Sequence, residues 1–360
     1  MSYNPAHETP FIGAGGLLGQ PDYQIVGAMA FYEYVRQTND LDWVRSTWHK
    51  WKLHAEYLIS EINSTDNLIY LASGFIGPAA GSSAESCAFV QAIKGMSEVA
   101  EAIGDAESAR TFNLAADQVT NGINSHLWNN NLGAYAWQVS DPSSISTAGT
   151  GLCITSGVAS PNQILRSLSA VDSLKNEIGY MDASSSSTSD NISPFTNGFL
   201  LPAFFMGNSS TYEAGLSLIK GLWGAMRDDI HTMSGGSWEY VKPSGEPGLD
   251  WFTSLSHPWG GAATYVLTEY VTGLRAEKGV AGFGHRAWIV APEVGIDLGL
   301  TTASADVLTP QGLLSVQWEV DNGHLLVKIK APVNTKGTIV FRRRQEHLEG
   351  REQYDVSIPL

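Results

Sequence analysis

A chain of 360 residues, 43% hydrophobic and 16% charged, can bury a large core as one big domain or as a domain with an accessory module. Its 36 acidic against 21 basic residues leave a net charge of -15, which argues against nucleic acid or anionic membrane as partners, because both need clustered Lys and Arg. The basic run Arg342-Arg343-Arg344 is read as a solvated strand end.

The first residues, MSYNPAHETPFIGAGG, carry neither a basic region nor an apolar h-region, so no secretory leader is expected. As written the chain is expected to be cytoplasmic, or cut from a longer secreted one. Residues 22–37 then place apolar side chains at helical spacing, and 40–62 forms a longer amphipathic helix. The Gly/Pro-bounded run LIYLASGFIGP is expected to be non-helical. Helices are expected at 84–103 and 105–127, followed by a small β-excursion at WNNNLGAYAWQV with an Asn-rich turn. Cys87 and Cys153 are too few and too isolated for a disulfide framework and are expected to be buried free thiols.

Helices return at 145–157 and 160–172, before a Ser-rich surface link at 183–190 in which Asp190 and Asn191 read as turn formers. Further helices are expected at 194–207, 209–228 and 258–274, with Ser256 and Pro258 suited to an N-cap and first turn. These make about nine helices in antiparallel hairpins, with long Gly/Ser/aromatic loops on one side. Beyond about residue 283, strand-length runs alternate with turn signals such as Asp321-Asn322-Gly323. The expected fold is mainly α: an (α/α)6-toroid-like domain over 1–278, incomplete at nine helices, then a small antiparallel β-sandwich over 279–360. Such a gap would need a partner subunit or a further N-terminal segment to cover it.

Eleven Trp, thirteen Tyr and twelve Phe serve mostly as core, but a load this high mildly favours a sugar-type ligand over a phosphate one. No GxGxxG, GxxxxGK[ST], CxxC or HExxH spacing is present, so no cofactor or metal is expected. The stretch SGGSWEYVKPSGEPGLDWFTSLSHPWGG, from Ser234 on, sets one acid among aromatics and glycines and a histidine at a helix start.

That stretch, followed by GFGHRAWIVAPEV, TPQGLLSVQWEVDNG and LLVKIKAPVNTKGTIVF, resembles the α-L-rhamnosidases of the six-hairpin glycosidase type. TYEAGLSLIKGLWGAM and ISPFTNGFLLPAFFMGN are similar to the family's late hairpins, and LDWVRSTWHKWKLHAEYLIS to an early one. The resemblance covers roughly residues 20 to 345 and is strongest after 190. It implies inverting hydrolysis of a terminal α-L-rhamnoside, in which one carboxyl protonates the leaving oxygen and another activates water. By motif Glu239 lands on the general base and His257 on the pocket histidine. Trp238, Trp251 and Trp259 land where the family has sugar-facing aromatics. Asp250 is a candidate second acid in the same loop, and Asp22 and Tyr23 match a helix start whose residues face the cleft.

The chain departs from the family at the acid. The Asp-x-x-x-Arg-Asp/Glu motif expected before residue 22 is absent, Glu8 being the one carboxylate there, and the Asp-Trp pair expected in the loop between Asn67 and Ser83 is missing. Two alternatives to a hydrolase therefore stand: a repurposed toroid acting as a cyclase or isomerase-type tailoring enzyme on an apolar small molecule, and a non-catalytic carbohydrate-binding module.

Overall fold

The computed structural model describes residues 2–4, 9–11, 22–71, 76, 81–185 and 190–360. Glu8, most of the LASGFIGP run and part of the Ser-rich link lie outside the described residues. Strands β1 (Ser2–Asn4) and β2 (Thr9–Phe11) pair antiparallel. Helices α1 (Asp22–Thr38), α2 (Leu41–Ser60), α3 (Ser83–Ile103) and α4 (Ala106–His126) follow. The short hairpin β3 (Trp128–Asn129) and β4 (Ala134–Tyr135) sits where the Asn-rich turn was expected. Next come α5 (Thr147–Thr155), α6 (Pro161–Ala170), α7 (Pro194–Phe204) and α8 (Ser209–Leu218). Helix α8 runs through a π-turn at Ile219–Trp223 into α9 (Gly224–Asp228), and α10 (Ala262–Val266) runs into a second π-turn at Leu267–Thr272. Counting each continuous rod once, α1–α7 with rods 209–228 and 262–272 make nine among the described residues up to Thr272, the number expected for the helical part.

Local sequence explains where these helices start and stop. Ser82 accepts the backbone N–H of Glu85 at the head of α3, and Gly104 ends that helix at φ +89°, donating its own N–H to Glu101. Asp105 caps α4 through Ser108 and also accepts the Trp48 indole N–H at 2.9 Å, which ties α2 to the α3–α4 corner.

The residues group into two compact units, 1–32 with 45–263, and 33–44 with 264–360. In the first, α3 packs on α4 and α5, and α5 packs on α7. A Cβ at Gly151 would come 2.3 Å from the Phe199 carbonyl oxygen, so α5 and α7 meet at backbone contact. Phe31 stacks on Trp51 with centroids 4.0 Å apart inside this core. Cys87 on α3 and Cys153 on α5 are both fully buried and form a disulfide, with Cα atoms 5.0 Å apart. The expectation of free thiols is therefore corrected: the α3–α5 packing brings together two positions 66 residues apart that carry no pairing signal in sequence.

The second unit contains β5 (Leu274–Ala276), β6 (Ala287–Val290), the short helix α11 (Glu293–Asp297) and β7 (Thr302–Thr309). Strands β8 (Gly312–Asp321), β9 (His324–Lys330), β10 (Lys336–Phe341), β11 (Arg344–Glu349) and β12 (Gln353–Pro359) complete it. They form two four-stranded sheets, β11-β10-β6-β5 and β12-β9-β8-β7. All pairs are antiparallel except β6 with β10, because the chain leaves after β6 to build the other sheet and returns in the same direction. Alternating inward residues, among them Trp288, Trp318, Val327 and Phe341, fill the space between the sheets. Residues 33–44 join this unit through Arg36, which pairs with Glu33 at 2.8 Å and Glu269 at 3.0 Å.

Candidate active site

The loop from Asp229 to Gly261 carries most of the residues singled out in the sequence, and Trp259 organises it. Its indole stacks on Phe195 of α7 with centroids 5.0 Å apart and planes 15° from parallel. The Tyr240 ring meets it edge-on at 5.8 Å, and the His257 imidazole lies 4.3 Å away. The Trp259 N–H donates to the Glu239 carbonyl at 3.3 Å. The short 3-10 turn Pro258–Gly260 that presents Trp259 is itself fixed from behind. The Trp223 indole, on the π-turn of the rod 209–228, donates to the Gly260 carbonyl at 2.6 Å. Gly260 is needed there, since a Cβ would fall 2.7 Å from Ser237 Cβ.

Glu239 is half-buried and held along its length. Its N–H donates to the Ser254 carbonyl at 2.9 Å, and its Oε2 accepts the Ser254 N–H at 3.3 Å. His257, also half-buried, donates its backbone N–H to the Ser237 carbonyl at 2.7 Å. Glu239, His257 and Trp259 therefore share one wall.

The other two tryptophans lie elsewhere. Trp238 is fully buried, its backbone N–H directed at the Met226 sulfur at 3.1 Å, so its ring faces protein on all sides. Trp251 is 100% exposed on the one-turn helix Asp250–Phe252, with Phe252 at 90%. Asp250, with φ +50°, is exposed and paired to Lys242 through its Oδ1. Replacing Trp251 by Ala is expected to change stability by less than about 0.5 kcal/mol, whereas Trp259→Ala should cost about 3–5 kcal/mol, as large-to-small changes at packed aromatic positions do. Chemical denaturation midpoints of the two variants check this.

Asp22 and Tyr23 open α1 in the same unit. Asp22 is fully buried, its Oδ2 accepting the Ile76 N–H at 3.0 Å. Burial and then the Asp22 charge push the Tyr23 phenol up. Tyr240 is pushed up to about 12 by burial, then by Asp182, Glu239 and Tyr23 in that order. Tyr240 thus lies near enough to Asp182, Glu239 and Tyr23 for their charges to raise it.

Three members of this site were not legible in the sequence. Phe195 and Tyr240 read as core aromatics, although Tyr240 adjoins Glu239 in the chain. Asp182, in the turn just before the Ser-rich link, was assigned no role from the sequence. Burial pushes its carboxyl up, while the Thr196 hydroxyl, donating to Oδ1 at 2.6 Å, offsets part of the rise.

Glu85 is a fourth group that the sequence presented only as part of a helix start. It is fully buried, its carboxyl pushed up to about 9 by burial and then by the Asp22 charge. Its Oε2 lies 3.4 Å from the Ser82 hydroxyl, and its Oε1 has no hydrogen-bond partner. A carboxyl that stays protonated when folded but ionises at about 4.3 when unfolded stabilises fully only below that value. The contribution is then lost progressively as pH rises to about 9. Glu85→Gln, which mimics the protonated acid, is expected to raise stability by on the order of 3 kcal/mol at pH 7 and by little at pH 4. Urea unfolding of both proteins across pH 4–9 measures this, and parallel curves would contradict it.

Among the described residues no group of three or more His, Cys, Asp or Glu could hold a metal ion, and no helix is long and apolar enough to cross a membrane.

Residues 273–355 match the bacterial alpha-L-rhamnosidase C-terminal domain family. No curated protein matches the chain in sequence. Among solved structures, a GH78 family rhamnosidase of Bacillus sp. GL1 superposes with a TM-score of 0.69 at 21% identity, over 90% of this chain and 33% of its own. The α-L-rhamnosidase of Streptomyces avermitilis, complexed with L-rhamnose, gives 0.65 at 15% identity over 92% of this chain and 30% of its own. The native α-L-rhamnosidase of Aspergillus terreus gives 0.62 at 15% identity over 94% and 38%. The chain thus has the helical-hairpin and β-domain fold of those enzymes and spans about a third of the length of each. The resemblance read from the sequence is present both in the match at the C-terminal domain and in the fold of most of the chain.

Proposed function

We propose that this chain binds a terminal α-L-rhamnoside against the Trp259 wall and hydrolyses it with inversion, Glu239 acting as general base. The observation that carries this reading is the Glu239 carboxylate, held by the Ser254 N–H next to an aromatic wall that also presents His257. An immobilised carboxylate beside a flat indole suits a water-activating group under a pyranose ring. The rhamnosidase fold and the C-terminal domain match support rhamnose over other sugars. His257 and Trp259 fix the sugar, and Tyr240, kept neutral by its surroundings, can donate a hydrogen bond to a sugar hydroxyl.

A second reading is that the aromatic wall of Trp259, Phe195 and Tyr240 holds a sugar ring without a catalytic step. On that reading the chain binds rhamnosides without turning them over. Calorimetric titration with methyl α-L-rhamnoside, alongside an aryl α-L-rhamnoside release assay, separates the two. Heat of binding with release supports hydrolysis, binding without release supports the second reading, and neither signal rules out both.

A further inference from the structure

The chain carries three Asn-x-Ser/Thr triplets, Asn63-Ser64-Thr65, Asn191-Ile192-Ser193 and Asn208-Ser209-Ser210, none with proline in the middle. We propose that Asn63 and Asn208 are acceptors of N-linked glycans and that Asn191 is not, an assignment independent of the hydrolase reading. Asn63 follows α2 in a turn where Ser64 and Thr65 are both exposed. Its Oδ1 accepts the Thr65 N–H at 2.8 Å, which leaves Nδ2 as the open end of the amide. Asn208 is exposed together with Ser209 and Ser210, and its Oδ1 accepts the N–H groups of Ser210 at 3.1 Å and Thr211 at 3.4 Å. Among the described residues neither Nδ2 donates a hydrogen bond within the protein, and the Thr65 and Ser210 hydroxyls are likewise open. The third triplet is closed. Asn191 Nδ2 donates to the Gly248 carbonyl at 2.9 Å, and Ile192 exchanges backbone bonds of 2.7 and 2.9 Å with Val241. Ser193 is buried, its hydroxyl accepting the Thr196 N–H at 3.4 Å. A glycan on Asn191 would have to part this segment from the loop that carries Tyr240 and Glu239.

The Cys87–Cys153 disulfide points the same way. Both cysteines are fully buried, so their bond is set as the chain folds, and such bonds form in oxidising compartments, the endoplasmic reticulum lumen among them. N-glycans are attached there to Asn-x-Ser/Thr on exposed segments. The donor is a lipid-pyrophosphate-linked oligosaccharide. Asn Nδ2 bonds to C1 of its first N-acetylglucosamine, the bond from C1 to the pyrophosphate oxygen breaks, lipid pyrophosphate leaves, and the nitrogen gives up one proton. At both sites the product keeps Oδ1, so the Thr65 turn and the cap of α8 survive the modification. Asn208 lies beyond the C-terminal end of α7, whose 11 residues span about 16 Å, while Phe195 of the Trp259 wall stands at its start. A glycan on Asn208 therefore leaves that wall open.

Glycopeptide mapping of the protein isolated from the organism that makes it tests this. N-glycans are released by peptide-N-glycosidase F in heavy-oxygen water, which labels each asparagine that had carried one. Label is expected at Asn63 and Asn208 and absent at Asn191. Secretion of the full chain from yeast behind a leader peptide adds the variants. On deglycosylation wild type should shift by two mobility steps, Thr65→Ala and Ser210→Ala by one each, and the double variant by none. Each change removes an exposed hydroxyl that bonds to no other group among the described residues, so the fold stays intact. An unlabelled Asn63 or Asn208, a labelled Asn191, or a secreted wild type without a mobility step overturns the assignment. None of these outcomes bears on the hydrolase reading.

Discussion

Glu239→Gln is expected to lower the rate of release from an aryl α-L-rhamnoside about 10²–10⁴-fold, equivalent to about 3–5 kcal/mol of barrier, with KM nearly unchanged. The substitution keeps the shape of the side chain and an oxygen that can accept the Ser254 N–H, so the loop should hold its position. The Trp259 contact is to the Glu239 backbone carbonyl, which the variant retains. What disappears is the capacity to take a proton from water, an interaction made only on the way to the transition state, so the loss falls on kcat. Stability should stay within about 0.5 kcal/mol, as for a substitution that empties no core position. Steady-state kinetics and a denaturation curve on the same preparation check both halves. A variant that loses stability along with activity would assign Glu239 a structural role instead.

Removing the Cys87–Cys153 bond is expected to destabilise the first unit by about 4 kcal/mol. The bond closes a loop of 66 residues, and cross-linking so long a segment removes much of the conformational freedom of the unfolded chain. It also joins α3 to α5, the helices whose packing places the Ser146–Thr147 start of α5 beside Asp182. Urea midpoints of the oxidised protein, the reduced protein and the Cys87→Ala/Cys153→Ala variant should differ accordingly, the last two falling together. A difference below about 1 kcal/mol would mean that packing of α3 on α5 alone carries the contact. A bond of this kind persists in oxidising surroundings, where the two thiols would not remain free.

The helices were legible in the sequence because period-3.6 apolar spacing and capping residues act locally. Ser82, Asp105, Ser160 and Asn208 stand at helix starts where the spacing began. The strands after 283 were legible for the same reason, with Asn322 at φ +45° and Gly323 at φ +77° making the turn that Asp-Asn-Gly announces. The disulfide was not legible, since two cysteines fix nothing until the helices carrying them are packed. Parts of the site were illegible for a related reason. Trp238 and Trp259 look alike on paper, yet one ring is buried in the core and the other is the centre of an aromatic wall. Asp182 lies next to a serine run whose composition resembles a plain linker, and only the fold brings it to Thr196 and Tyr240. Glu85 had the signature of a helix start, and nothing in its spacing showed that Asp22 would be buried beside it.

Glu239 acting as a base on water implies attack from the face opposite the leaving group, and the configuration of the first-formed sugar reports this directly. Proton NMR of L-rhamnose released from an aryl α-L-rhamnoside, followed from the first minutes before mutarotation, reads that configuration. Appearance of the β-anomer first, with no sugar released by Glu239→Gln, is the predicted result. Release of the α-anomer first, or no release from folded wild-type protein, contradicts the account.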